Sequence, residues 1–275
     1  MIPATPLPTK AFVAPGHIVR YIWSQPEYIF FLFAASAAEF AYHPSVDWLY
    51  FTGKLPADPI GRMFSTLSYA RGIVFANEEK AIQTISHIRQ IHQNVETKRG
   101  DLITDWAYRD VLFMLIDYSI RSYESLRHPL SQLDKQEVYD VFFRIGKSMQ
   151  ISNLPIDYTT FVVQRGSSIE NHLTPNAYTS DLFRQYRKHL GWFRYFCMLN
   201  VQQLVCHPIL RKKFHHHPII LPHLLLIVYK CSRLLGLKEI LLQWLIPKAY
   251  RSFFRESKNA YPDFRNTVTN IPSPP

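Results

Sequence analysis

Two consecutive helix starts, at residues 58 and 77, constrain the fold of this chain more than any other feature of its sequence. Asp58 supplies an N-cap side chain directly before Pro59, the residue type favoured at the first helical position. Asn77 supplies a second cap, and two glutamates follow it in the first turn. Helical periodicities dominate over alternating ones, and only nine glycines occur in 275 residues. The sequence therefore predicts an all-α protein.

The first of these helices carries polar groups where a core-facing helix normally has apolar ones. Arg62, Ser65, Thr66 and Tyr69 share one face, because successive helical residues rotate by about 100°. One interpretation is a capped or salt-bridged helix start. The other is that Arg62 and Thr66, one turn apart, face a binding pocket. The spacing alone leaves both interpretations open.

The second helix places a histidine on its apolar side. Ile85, Ile88, His92 and Val95 form one stripe, whereas His87 points to the opposite side. A histidine on such a stripe is usually a hydrogen-bonded core residue. The alternative is a metal or haem ligand, because neutral imidazole in an apolar pocket is what a haem iron takes as its proximal ligand. His92 is therefore a candidate ligand.

Length and composition predict a single multi-helix domain. We expect an irregular N-terminal arm over residues 1–16, the helical domain over 17–261 and a disordered tail over 262–275. Within the domain, residues 25–42 are expected to form a buried core helix, and Asp117 is expected to be solvated. The aromatic share of 15% suits a pocket for a flat macrocycle or a long apolar substrate, and it equally suits a well-filled core.

A formal net charge of +10 raises the question of an anionic partner. Nucleic acid is disfavoured, because no clustered basic stripe or known binding module occurs. Basic residues are instead concentrated in the C-terminal third, beside apolar segments at residues 218–229 and 234–247. This arrangement predicts peripheral membrane contact. Both segments are too short to span a bilayer, so they are either core helices or helices that lie against a membrane. These basic residues are Arg211, Lys212, Lys213, Lys230, Arg233, Lys238 and Lys248.

The cysteine and histidine patterns indicate the compartment and argue against a zinc site. Three cysteines, without metal-ligand spacing, are typical of a reducing compartment, and the N-terminus lacks signal-peptide features. We expect a cytoplasmic protein, peripheral to a membrane. The run His215–His217 is interpreted as a basic loop, because adjacent side chains diverge and do not converge on one ion.

Several short motifs, taken in order and spacing, resemble one family. The motifs are AxHP at residues 41–44, DPIGRxxxT at 58–66, RxxHxxV at 89–95 and a PLS turn at 129–131. Together they resemble the family of the ER-bound oxygenase MpaB and the rubber oxygenase (latex clearing protein), most clearly over residues 28–165. The resemblance implies an all-helical, globin-like domain that binds haem b and uses dioxygen to cleave carbon–carbon double bonds in isoprenoid chains.

The resemblance also implies roles for individual residues. His92 matches the proximal iron ligand, with Arg89 one turn before it. Arg62 and Thr66 match distal-pocket residues and are the candidate catalytic residues, and Ser65 lies beside them. The rubber oxygenase has a lysine where this chain has Ser65, and a serine cannot replace lysine as an iron ligand.

Two further positions bear on the resemblance. Many family members carry a Trp-Val-His pattern where this chain has Trp106, Ala107 and Tyr108. The distal glutamate of the family has two candidates here, Glu39 and Asp47. These differences concern the specific reaction rather than haem binding.

The sequence thus supports three functions. The first is a haem b-dependent oxygenase that acts with dioxygen on a lipophilic, isoprenoid-like substrate. The second is a haem-binding or sensing protein without turnover, which the residues at positions 65 and 108 favour. The third is a membrane-surface helical protein without a cofactor. The chain lacks a GxSxG elbow, a phosphate-binding glycine loop, a dinucleotide fingerprint and an HExxH motif, so no hydrolase or zinc-protease alternative is indicated.

Overall fold

Thirteen α-helices form the secondary structure of a single all-α domain in the computed structural model, which describes residues 10–214, 220–248 and 251. In chain order they are α1 (Ile18–Ser24), α2 (Pro26–Tyr42), α3 (Val46–Phe51), α4 (Lys54–Ala57), α5 (Pro59–Val74), α6 (Glu78–Arg99), α7 (Asp105–Leu126), α8 (Gln132–Ser148), α9 (Tyr158–His172), α10 (Thr179–Val205), α11 (Pro208–Arg211), α12 (Ile220–Leu234) and α13 (Lys238–Leu245). The predicted all-α class is confirmed. The globin-like arrangement stays a prediction.

Helix α2 lies at the centre of the domain, as its apolar sequence predicts. It packs against α7 and α10, and small side chains on α2 let these neighbours approach its backbone closely. These buried small residues are Ala34, Ala35, Ala38 and Ala41. Pro26 starts the helix and His43 ends it with an extended backbone. The core is built around this helix, and its two buried glutamates, Glu27 and Glu39, are bonded to residues of other helices.

Helices α5 and α6 form an antiparallel pair whose starts are set by local caps. The Asp58 carboxylate accepts a hydrogen bond from the Gly61 N–H at 2.8 Å, and the Asn77 side chain accepts one from the Lys80 N–H at 2.9 Å. Helix α6 ends at Gly100, which adopts φ 71°. Both predicted helix starts are confirmed. The caps place Arg62 in the first turn of α5, facing the middle of α6.

Helix α10 changes direction at Gly191. This residue has φ 73° and ψ 170°, a backbone conformation essentially restricted to glycine. Helix α10 therefore consists of two helical segments joined at this glycine. Directly after the bend, Trp192 and Phe193 are exposed to solvent.

The segment over residues 10–16 is irregular, yet it contributes to the core. Phe12 and Val13 are buried, and Ala11 pairs with Asn77 in an isolated β-bridge. The Arg144 guanidinium donates a hydrogen bond to the Phe12 carbonyl and lies 4.4 Å from the centre of its ring. Residues 1–9, the histidine run at 215–217 and the tail at 262–275 lie outside the described residues.

The described helices include none that combines the length and the apolar character required to cross a bilayer.

Candidate functional site

His92 lies on α6 in a half-buried position between α5 and α7. Its Nδ1 atom is buried without a hydrogen-bond partner, and its ring contacts Tyr108 edge-on, with 5.3 Å between ring centres. Burial, assisted by the positive charge of Arg62 and opposed by Glu96, lowers the pKa of His92 to about 4. The imidazole is therefore neutral at pH 7. A neutral, unpaired imidazole is the form of histidine that binds metals.

Arg62 is the charged group that α5 directs toward His92. Burial lowers the pKa of its guanidinium, an effect that Tyr69 opposes. The guanidinium makes no hydrogen bond or ion pair with any residue in the described part of the chain. An unpaired, partly desolvated cation is costly to the fold unless it serves a binding partner. Arg62 is thus placed to bind an anion or to stabilise negative charge beside His92.

The other polar residues on the Arg62 face of α5 are Ser65, Thr66 and Tyr69, which are half-buried and face different neighbours. The Thr66 hydroxyl donates to the Arg62 carbonyl at 3.1 Å, within the same helix. The Tyr69 ring lies 6.1 Å from the ring of His87, which is itself exposed. Arg62 therefore acts on His92 near one end of the α5–α6 pair, and Tyr69 contacts His87 nearer the other. Ser65 is half-buried on the same helix.

Tyr108 on α7 is the aromatic residue that packs against His92. Its hydroxyl donates to Glu96 Oε1 at 3.2 Å, and the same oxygen accepts a hydrogen bond from the Ile103 N–H at 2.9 Å. Burial and the Glu96 carboxylate raise the pKa of Tyr108, against the effect of Arg89. The hydroxyl therefore stays protonated and fixes the ring that packs on His92. Glu96 is one helical turn after His92, a spacing that could have drawn attention to it.

The two candidates for the distal acid lie in different environments. Arg165 donates two hydrogen bonds to Glu39, at 2.7 Å and 2.5 Å, and the Tyr118 hydroxyl donates a third at 2.6 Å. The Asp47 carboxylate accepts a hydrogen bond from Arg99 at 2.7 Å, near the C-terminal end of α6. Arg99 follows His92 by about 10 Å along the helix axis, so Asp47 contacts α6 near its C-terminal end, whereas Glu39 belongs to a separate buried ion-pair network.

Asp117 belongs to the same network and is buried, so the expectation of a solvated carboxylate is wrong. Arg121 donates to one carboxylate oxygen at 2.5 Å, and Arg165 donates to the other at 3.2 Å. Burial alone would raise the pKa of Asp117, but these two arginines outweigh it and lower the pKa. Sequence reasoning missed Arg165 because it lies on α9, 48 residues from Asp117.

A second buried cluster gathers around Asp110. His43 Nδ1 accepts a hydrogen bond from the Ser45 N–H at 3.1 Å, so its Nε2 carries the proton and donates to Asp110 at 3.3 Å. The Ser168 hydroxyl and the His172 ring donate to the same carboxylate, each at 2.5 Å. Burial would raise the pKa of Asp110, but these donors lower it. The cluster connects α2, α7 and α9. The sequence around Asp110 does not indicate these contacts, because the partners lie on other helices.

The space beside this cluster is small. A crevice lined by Glu39, Phe40, His43, Asp110, Val111 and Met114 is too narrow to hold a water molecule. Ligand pockets usually enclose roughly 300–1,000 Å³, so this crevice does not accommodate a macrocycle. In the described part of the chain, no three His, Cys, Asp or Glu side chains have the geometry of a metal site. The Asp110 cluster is therefore a hydrogen-bonded junction between helices.

His207, the N-cap of α11, makes the stability of the domain sensitive to acid. Its Nδ1 accepts the Ile209 N–H at 3.3 Å, and burial lowers its pKa to about 4, an effect that Asp117 opposes and Arg121 supports. The folded pKa lies below the unfolded value of about 6.5, so its contribution to stability is present above pH 6.5 and is lost as the pH falls toward 4. We expect the free energy of unfolding to fall by at most about 1.4 kcal/mol per pH unit from this residue.

The variant His207→Asn isolates this effect, because asparagine retains an acceptor for the cap and does not titrate. Urea unfolding at pH 7.5 should give similar stabilities for wild type and variant. Between pH 7.5 and pH 5, the free energy of unfolding should fall less for the variant than for wild type. The exposed His223→Asn serves as the control. Parallel pH curves for wild type and His207→Asn would contradict the assignment.

Comparison with known proteins places the chain in a family. No curated protein and no solved structure matches it. Residues 22–218 match the family described as "ER-bound oxygenase mpaB/B'/Rubber oxygenase, catalytic domain". The match includes α2, α5, α6 and α7, and it extends at both ends beyond the residues in which the motifs are clearest. The chain therefore belongs to the family of the ER-bound oxygenase MpaB and rubber oxygenase catalytic domains.

Proposed function

We propose that this protein is a haem b-dependent oxygenase that uses dioxygen to oxidise a lipophilic, isoprenoid-like substrate at carbon–carbon double bonds. Family membership supports oxygenase chemistry, and with it an oxidoreductase. The observation that carries the haem assignment is His92, a neutral imidazole with a buried ring nitrogen that has no hydrogen-bond partner among the described residues. Such a nitrogen is costly to bury unless a ligand satisfies it.

The residues around His92 fit a haem in their donor chemistry. A neutral imidazole binds iron through one ring nitrogen, and Tyr108 packs edge-on against the ring and limits its rotation. Glu96 accepts the hydrogen bond of the Tyr108 hydroxyl and fixes that ring, and the positive charge of Arg89 acts on the same hydroxyl. When bound, the haem would supply the activation of dioxygen, which no side chain of the protein provides.

Arg62 has the clearest catalytic role among the polar residues of α5. Its unpaired guanidinium can stabilise negative charge that develops beside His92, and partial burial strengthens that interaction by excluding water. The Thr66 hydroxyl can donate a hydrogen bond in the same region when it turns away from the Arg62 carbonyl, and Ser65 lies beside it. These groups would orient the reacting molecules, while the haem carries the redox chemistry.

One observation favours the second function, haem binding without turnover. The Thr66 hydroxyl is engaged with its own helix, and Ser65 offers no side chain able to bind iron. In that case the protein would bind haem and small ligands but would not consume oxygen with a lipid substrate.

The test is haemin titration of the purified protein, followed by ultraviolet–visible spectroscopy. Wild type should take up near-stoichiometric haem with a Soret band, and His92→Ala should lose or shift that band. His87→Ala, an exposed histidine on the same helix, is the matched control and should behave as wild type. A folded wild-type protein that binds no haemin would refute both haem functions. Haem binding without oxygen uptake in the presence of squalene would select the non-catalytic one.

A further inference from the structure

The outward side of helix α12 is apolar, although solvent surrounds it. Leu224, Ile227, Val228 and Leu234 are exposed on the side of the helix that faces away from the buried Tyr229, and Leu235, directly after the helix, is exposed as well. A helix at the surface of a water-exposed protein normally presents polar residues on this side. We call these five residues the outer face of α12.

The apolar surface continues beyond α12. Helix α13, which packs against α12, exposes Leu237, Ile240 and Trp244, the last with 67% of its surface accessible. The Arg194 side chain donates a hydrogen bond to the Trp244 carbonyl at 3.0 Å, so the part of α10 that follows the Gly191 bend lies next to α13. Exposed apolar residues on two helices that pack together are typical of an interaction surface.

The opposite sides of α12 and α13 are attached to the rest of the domain. The Tyr229 hydroxyl donates to Glu27 Oε1 at 3.2 Å, and Lys238 Nζ donates to the same oxygen at 2.5 Å. Glu27 lies in the first turn of α2, so one buried carboxylate anchors both helices. Each of the two C-terminal segments thus packs one side onto the core and exposes a second apolar side. The sequence leaves open whether these segments are core helices or helices that lie against a membrane, and the structure gives each segment a side suited to either.

Basic residues flank this surface. Lys230, Arg233 and Lys248 are exposed, and Glu239 is the one acidic residue in positions 220–248. At the turn between the helices, Leu234 is 84% and Leu235 71% accessible, beside Gly236 with φ 71°. Protruding leucines bordered by lysine and arginine suit the boundary between acyl chains and anionic headgroups, where tryptophan also accumulates.

We propose that the outer face of α12, together with the exposed residues of α13, docks the protein on an anionic lipid membrane. The leucines enter the acyl region, Lys230 and Arg233 contact the lipid headgroups, and the helices lie along the surface. Charge favours a lipid occupant over a second copy of this chain, because a second copy would bring the same basic residues together. The inference does not depend on haem binding.

Vesicle flotation of the full chain tests the proposal. Wild type should float with phosphatidylcholine–phosphatidylserine vesicles and much less with phosphatidylcholine alone. Leu234→Ser/Leu235→Ser should lower the partition coefficient at least about tenfold, and Lys230→Glu/Arg233→Glu should abolish the preference for phosphatidylserine. The control is Leu102→Ser/Ile156→Ser, which alters leucine and isoleucine side chains that are equally exposed elsewhere and should change nothing.

Circular dichroism would confirm that each variant is folded, and none of these side chains is buried. Failure of wild type to float with anionic vesicles would overturn the proposal, as would equal flotation of Leu234→Ser/Leu235→Ser. Sedimentation equilibrium tests the alternative that the outer face of α12 binds a second copy of the chain. A wild-type dimer that Leu234→Ser/Leu235→Ser dissociates, without vesicle binding, would reassign the outer face to self-association. Because the Soret titration is independent, the two proposals can fail separately.

Discussion

Replacing Glu39 by alanine is expected to lower the free energy of unfolding by about 3–5 kcal/mol, because it leaves the charge of Arg165 buried with one carboxylate fewer. Arg165 is 2% exposed and gives two of its hydrogen bonds to Glu39. The substitution also removes the acceptor of the Tyr118 hydroxyl. Asp117 remains as a partner, but it already binds Arg121. Urea unfolding at pH 7 measures the loss.

Two further variants show whether the lost stability comes from the uncompensated charge. Glu39→Leu/Arg165→Met removes both members of the pair and should be less destabilised than Glu39→Ala, since apolar side chains can replace a buried ion pair at little cost. Lys10→Ala removes a solvent-exposed ion pair with Glu78 and should shift stability by less than about 0.5 kcal/mol. A Glu39→Ala protein as stable as Lys10→Ala would show that the buried network does not hold α2 and α9 together.

Replacing Arg62 by methionine is expected to lower kcat by about 10²–10³-fold, with haem still bound. Methionine approximates the aliphatic part of arginine, and Arg62 makes no ion pair within the described chain whose loss would disturb the fold. The expected loss is that of a single charge-stabilising group in a partly buried site. Oxygen uptake with squalene measures kcat, and the Soret band verifies haem content.

A second readout tests the placement of Arg62 without any activity. Because the charge of Arg62 helps to lower the pKa of His92 to about 4, Arg62→Met should raise that pKa in the haem-free protein. Proton NMR titration of the imidazole follows the change. Arg184→Met, which alters an exposed arginine on α10, should leave both kcat and the His92 titration unchanged. An unaltered His92 pKa in Arg62→Met would remove Arg62 from the site.

The features that the sequence predicts well are those encoded by neighbouring residues. The caps at Asp58 and Asn77 act on N–H groups three residues away, so their effect can be read directly from the order of side chains. The stripe that contains His92 is a property of one helix in the same way. The family motifs also lie in short segments, and the family assignment is confirmed.

Contacts between distant segments account for what the sequence does not show. Asp117 looks like a solvated carboxylate because its partner Arg165 lies two helices further along the chain. His43 occupies the helix end that its position before Pro44 predicts, but packing directs its ring to Asp110 on α7. The roles of His92, Arg62, Thr66, Arg89 and Ser65 in haem chemistry stay predictions for the experiments above.

The sequence by itself determines that this protein is helical, where α5 and α6 begin, and to which family it belongs, because capping, periodicity and motif spacing are local properties of the chain. Only the tertiary structure decides which charges are paired and which apolar faces stay exposed. Arg165 is neutralised by carboxylates 126 and 48 residues away, and α12 presents four apolar side chains to solvent because its other side is held at Glu27. Both outcomes depend on which helices meet, and burial then sets the free energy of each polar or apolar group.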